Sequence, residues 1–246
     1  MAITSLENNI LFILTVILLI GKAIFALYLG KTVYEKKKNL GYLEFDFLFG
    51  FFIFIVFLFI SRIFYMIFDS FLTQFDPSLQ YLPQNIIFWK LGSFFSLIGV
   101  SFILFIIERA IFKFKFKCIP SIFVIISNFI ILFTPSNTLI DFRILSILLF
   151  VSFSVSLIIP ITFIYNGIKY PEIRKVSIML GVGALIFFIA TGSVSHILSD
   201  PIKIFLSEKW EIFKYFPFFI GKLIGLAIVS YFSTNLFIFN YFMKLE

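Results

Sequence analysis

Residues 47–68 read FLFGFFIFIVFLFISRIFYMIF, an apolar run in which Arg62 is the sole charged residue. As an α-helix this run is about 33 Å long at 1.5 Å per residue, enough to cross a hydrocarbon core of about 30 Å. Comparable runs recur along the chain, and the predicted spans are residues 9–30, 47–68, 86–108, 118–134, 144–168, 176–199 and 217–242. Of the 246 residues 61% are hydrophobic and only 13% charged, whereas a soluble domain carries about 25% charge. A water-soluble globular fold is thereby excluded. The expected architecture is an all-α polytopic membrane protein, a single seven-transmembrane-helix bundle over residues 1–246, in the cell membrane.

Phe contributes 40 residues, and Ile, Lys, Tyr and Asn are also abundant. That is the bias of an AT-rich genome, so a single Phe is weak evidence of function. Cys118 is the one cysteine and His196 the one histidine, which excludes an intrachain disulfide and multi-histidine or multi-cysteine metal sites. No metal and no cofactor is expected.

The net charge of +7 would suggest nucleic acid in a soluble protein, but here the placement of the bases relative to the membrane decides. Lys31, Lys36, Lys37, Lys38, Arg109, Lys113, Lys115, Lys117, Lys169, Arg174, Lys175 and Lys244 fall on one side of the predicted spans, and Arg143, Lys203, Lys209 and Lys214 on the other. The positive-inside rule then predicts an outside N-terminus and a cytoplasmic C-terminus. The leader Met1 to Asn8 lacks the basic region of a cleaved signal peptide, so the first span is expected to stay in the mature protein.

Four bases remain inside the spans: Lys22, Arg62, Lys90 and Lys222. A charge at the bilayer centre costs about 2.5–3.5 kcal/mol on insertion scales. Counting along the spans places Arg62, Lys90 and Lys222 roughly 6–9 Å from the outer ends, and Lys22 roughly 12 Å from the inner end, toward the opposite face. Each could snorkel. Three bases at similar depth on separate helices also suit a shared outer pocket for a carboxylate, a phosphate or an anionic lipid headgroup. The candidate ligand site is Arg62, Tyr65, Lys90, His196 and Lys222, with Arg62, Tyr65 and Asp69 on one helical face. Asp69 is also placed to neutralise part of this cluster.

Small residues predict where helices meet. Gly92, Ser96 and Gly99 line one side of the third span, the sixth is rich in Gly and Ala, and the seventh carries Gly221-x-x-x-Gly225. Such surfaces allow close backbone approach in lipid, either within one bundle or, for Gly221 and Gly225, across a homodimer. Pro160 predicts a kink in the fifth span, with Ser152, Ser156 and Thr162 able to satisfy the freed backbone groups. Asn128 is expected to hydrogen-bond to another helix. Residues 200–217 pattern as an interfacial amphipathic helix, expected as a membrane-surface anchor and alternatively as a lid.

The third span reads Phe88-Trp89-Lys90-Leu91-Gly92 and closes Phe102-Ile103-Leu104-Phe105-Ile106-Ile107-Glu108-Arg109, and a basic fifth loop runs into the Gly-rich sixth span. With seven spans and an outside N-terminus, this layout resembles the seven-helix N-terminal sensor region of bacterial and archaeal histidine kinases. No dimerisation helix or ATP-binding domain follows in the sequence. The resemblance therefore implies a membrane sensor or receptor-like module, without kinase activity of its own, that signals through a cytoplasmic partner. Membrane lipids are the other expected partners, and nucleic acid is not one.

Other readings are weaker. Lys222 in the last span invites comparison with retinal proteins, but the third span offers no acid before Glu108. Pro83-Gln84 faintly resembles a PQ-loop transporter, without the second Pro-Gln pair. A small-molecule or lipid transporter stands as the alternative, supported by Pro160 and the buried bases. Ser193, Ser195 and His196 are sequence neighbours without an orienting acid, so an enzyme is not expected.

Overall fold

The computed structural model describes residues 5–76, 78–193 and 215–234. Among them every regular element is helical. Helix α1 is Ser5–Leu40, α2 is Phe47–Met66, α3 is Pro83–Ile107, α4 is Ile119–Phe133, α5 is Leu139–Ser154, α6 is Ile158–Lys169, α7 is Arg174–Gly192 and α8 is Tyr215–Thr234.

Local chemistry sets the ends. α1 stops where Gly41 takes φ +79° and its N–H bonds to the Lys37 carbonyl, the left-handed closure that glycine permits without a Cβ penalty. Lys36 then reaches both Glu44, at 2.7 Å, and Asp46. Asp46 in turn caps α2, its Oδ1 accepting from Phe49 N at 2.9 Å. α2 continues as a π-helical turn, Ile67–Leu72, and α3 as another, Glu108–Phe112. α5 opens on a capping box formed by Thr138 and Asp141.

Among the described residues six helical stretches are long and apolar enough to cross a membrane: Leu6–Leu40, Phe47–Leu72, Pro83–Phe112, Leu139–Lys169, Pro171–Gly192 and Tyr215–Thr234. The fourth predicted span appears as α4, whose 15 residues cover only about 22 Å. The helices form a closed ring: α1 packs on α2 and α8, α2 on α3, α3 on α4, α4 on α5, α6 on α7 and α7 on α8. α3 is the innermost, with 67% of its apolar window buried against 22% for the first stretch and 17% for Leu139–Lys169. Ile13, Ile17, Ile20, Ile24 and Leu27 form an exposed apolar stripe on α1. Such a face is unfavourable in water and ordinary against lipid. Six long apolar helices and this exposed apolar face fit a multi-pass membrane protein, all-helical over the described residues.

The kink expected at Pro160 appears as a 3-10 turn, Val155–Leu157, between α5 and α6. Ser152 Oγ donates to Leu148 O at 2.7 Å and Ser156 Oγ to Phe153 O at 2.6 Å, so the serines supply polar contacts around the break. Asn128 Nδ2 donates to Phe94 O on α3 at 3.1 Å, the interhelical bond read from the sequence.

The small residues of α8 face α7 of the same chain. A Cβ on Gly225 would lie 2.7 Å from both Gly183 O and Phe187 N, and one on Gly221 would lie 2.7 Å from Ala190 Cβ. At Gly225 the obstruction is backbone, which cannot move aside as a side chain can. The surface considered for a homodimer is thus occupied within the bundle. Gly92 and Gly99 perform the same service between α3 and α2, against the Tyr65 ring at 3.1 Å and Phe57 Cβ at 3.0 Å.

Candidate functional site

A cavity of about 300 Å³ lies inside the ring, between α1, α2, α3, α5, α7 and α8. Its walls are largely aromatic, with Phe142, Phe150, Phe187 and Phe218 among them, and its charged lining residues are Lys22, Arg62, Asp69 and Lys222.

Arg62 is held from three directions. Its Nη2 donates to Thr15 Oγ1 on α1 at 2.6 Å, its Nη1 lies 3.5 Å from Asp69 Oδ2, and its guanidinium carbon sits 5.4 Å from the Phe219 ring centroid. The residue is only 6% exposed, yet its Nε has no hydrogen-bond partner among the described residues. The pairing with Asp69 follows from the i, i+7 spacing, two helical turns on one face. Tyr65, one turn from Arg62, has its hydroxyl 2.8 Å from Ser93 Oγ on α3. Ser93 Oγ donates to Trp89 O, which leaves Tyr65 as the donor to Ser93. Beside them Ser61 Oγ donates to Gly92 O at 2.7 Å, and Ser96, also lining the cavity, donates to Ser93 O. The small-residue stripe on α3 therefore shapes the site as well as the packing.

Lys222 projects from α8 into an aromatic cage, its Nζ 3.8 Å from the Phe218 centroid and 5.7 Å from that of Phe187. Among the described residues it makes no hydrogen bond or ion pair; it meets the rings by cation–π attraction and lies within electrostatic reach of Asp69. Lys22, buried at 3% exposure, donates to the Leu58 carbonyl at 2.9 Å.

Two expectations need correction. Lys90 does not line this cavity: its Nζ donates to Thr134 O at 2.5 Å and lies 3.5 Å from Leu132 O. The last carbonyls of a helix have no intrahelical partner, and Lys90 satisfies those at the end of α4. Lys22, expected toward the opposite face, lines the same cavity as Arg62 and Lys222. The depth count assumed that helices end where hydropathy falls. Instead α2 runs on through its π turn to Leu72, ten residues past Arg62, and α1 extends to Leu40, so both bases sit near mid-helix. The signal that could have found Lys22 is its spacing of seven from Thr15, the same interval that joins Arg62 to Asp69. His196 and nearly all of the amphipathic stretch 200–217 lie outside the described residues.

A second, apolar cavity of about 40 Å³ lies beside the kink, lined in part by Ser156 and Pro160. Phe153, Phe187 and Phe188 line both cavities and form an aromatic septum, with Phe153 and Phe188 stacked at 5.9 Å between centroids. Comparison with protein families, curated proteins and solved structures finds no match.

Proposed function

We propose that this protein is a membrane sensor or receptor-like module that takes a small anionic or lipid-like ligand from the outer side and signals through a cytoplasmic partner, in a seven-span arrangement with its N-terminus outside. The observation that carries this reading is the charge of the cavity: Lys22, Arg62 and Lys222 against Asp69 alone. Formal charge inside a low-dielectric bundle is costly unless it is compensated, and an entering anion supplies the compensation. The aromatic walls suit a ligand with an apolar body.

Thermal unfolding of the purified protein in neutral detergent tests this. Small carboxylates or phosphates should raise the melting temperature, neutral solutes of the same size should not, and Arg62→Gln should abolish the difference. Equal response to charged and neutral solutes rejects the site. Neighbouring genes encoding response regulators would support the sensor role, and a C-terminal phosphatase fusion active outside the cell would overturn the orientation.

The aromatic septum favours a second reading, a small-molecule or lipid transporter. Phe153, Phe187 and Phe188 separate the charged cavity from the apolar one beside the Pro160 kink, and a bent helix next to such a barrier suits alternating access. Anion flux in proteoliposomes separates the two roles: a transporter moves the ligand, and a sensor binds it without flux.

A further inference from the structure

We propose that Asp69 is a built-in competing anion: the ligand is a single-headed anionic amphiphile, a carboxylate or phosphate monoester on an apolar body, whose head takes the place of Asp69 on Arg62. This inference rests on the anionic-ligand reading and specifies how the site is filled. Arg62 meets the Asp69 carboxylate at 3.5 Å, longer than the roughly 2.7–2.9 Å of a charge-assisted hydrogen bond. Its Nε has no acceptor although the residue is buried. The guanidinium thus holds unspent donor capacity, and its resident anion is loosely engaged.

Lys22 lies on the side of Arg62 away from Asp69, and Lys222 lies within electrostatic reach of Arg62, Lys22 and Asp69 alike. Lys22 bonds to the carbonyl of Leu58, one turn before Arg62 on α2, whereas Asp69 is two turns after it. Lys222 lies between Phe218, which also faces Arg62, and Phe187, which packs on Phe54 two turns before Arg62. A headgroup drawn toward Lys22 can bond to Arg62 from that side, with Lys222 able to serve either anion, and each gain there weakens the hold on Asp69. The apolar body then lies against Phe142, Phe150 and Phe218. Asp69 occupies the π turn Ile67–Leu72, so its release frees a carboxylate at an irregular element, of the kind often found at functional sites.

Removing the competitor should tighten binding. The full-length protein in zwitterionic nanodiscs is titrated with sodium octanoate and with octyl phosphate, read by thermal shift. Acetate and inorganic phosphate serve as head-only probes and octanol as the tail-only probe. At least one amphiphile should bind saturably and more tightly than its head or tail alone, and the stronger of the two names the headgroup. Asp69→Asn and Asp69→Ser should each bind it about tenfold more tightly, the size of one charge-assisted contact. Asp69→Glu should match the parent, Arg62→Gln should bind weakly, and Arg62→Gln/Asp69→Asn should bind no better than Arg62→Gln. If no probe binds the parent or the Asp69 variants, the anionic-ligand reading itself fails. If the parent binds and Arg62→Gln abolishes binding while the neutral Asp69 variants bind equally or more weakly, the site stands and the competing-anion inference is overturned. If head-only probes bind as tightly as the amphiphiles, the amphiphile assignment is overturned.

Discussion

Lys90 is buried and Lys222 half-buried in the same bundle, and the structure treats them oppositely. At the seam of α3 and α4, Lys90 bonds to the terminal carbonyls of a helix of only 15 residues. Inside the ring, Lys222 faces aromatic rings and the described residues offer it no hydrogen-bond acceptor. The difference teaches that an intramembrane base is not in itself a binding residue. What distinguishes the two is whether the backbone nearby has acceptors to spend on it. α4 has carbonyls left over because it ends early, and the regular middle of α8 has none.

The largest expected effect falls on the seam that carries Lys222 rather than on the lysine. Gly225→Leu would drive a side chain into the α7 backbone at Gly183 and Phe187, and overpacking of this kind costs about 1–3 kcal/mol or more. Ala227 is exposed on the opposite side of α8, so Ala227→Leu should leave the melting temperature nearly unchanged. Equal melting temperatures for Gly225→Leu and the parent would mean that α7 and α8 are not in tight contact.

The lysines themselves should then part. Lys90→Met leaves the α4 carbonyls without a charged donor, a loss of about 1.5–3 kcal/mol, and should lower thermal stability with anion binding intact. Lys222→Met removes a base without acceptors and should leave the ligand-free protein as stable as the parent or more so, with anion-dependent stabilisation lost. Thermal unfolding of both variants with and without a carboxylate or phosphate gives the answer in four curves. The same loss of ligand-free stability in both would erase the distinction.

Much of this was legible in the sequence. Hydropathy locates the apolar helices, though six rather than the predicted seven are long enough to cross a membrane among the described residues; the i, i+3, i+7 spacing puts Arg62, Tyr65 and Asp69 on one face, and Pro160 marks the kink. What was not legible depends on where helices end. The π turn after Met66 moves Arg62 toward mid-helix, the long α1 brings Lys22 level with it, and the early end of α4 claims Lys90. Helix ends follow from caps and tertiary packing more than from hydropathy. A depth count from apolar boundaries therefore places a charge only to within a turn or two, too coarsely to tell the cavity-lining Lys22 from Lys90 at the α3–α4 seam.

The smallest effect sharpens the seam side of the comparison. If α4 is held to α3 by polar contacts that compensate for its short length, Asn128 should contribute alongside Lys90. Its Nδ2 donates to the Phe94 carbonyl at 3.1 Å, while its Oδ1 is buried without a partner. Interhelical hydrogen bonds in membranes average about 0.6 kcal/mol, and the orphaned oxygen offsets part of that gain. Asn128→Leu should therefore cost well under 1 kcal/mol, much less than Lys90→Met. In the double variant the loss should fall short of the sum of the two, because the contacts hold the same helix and the first loss already loosens the second. A strictly additive double variant would show that Lys90 and Asn128 support α4 independently, and that α4 is anchored chiefly by its apolar face.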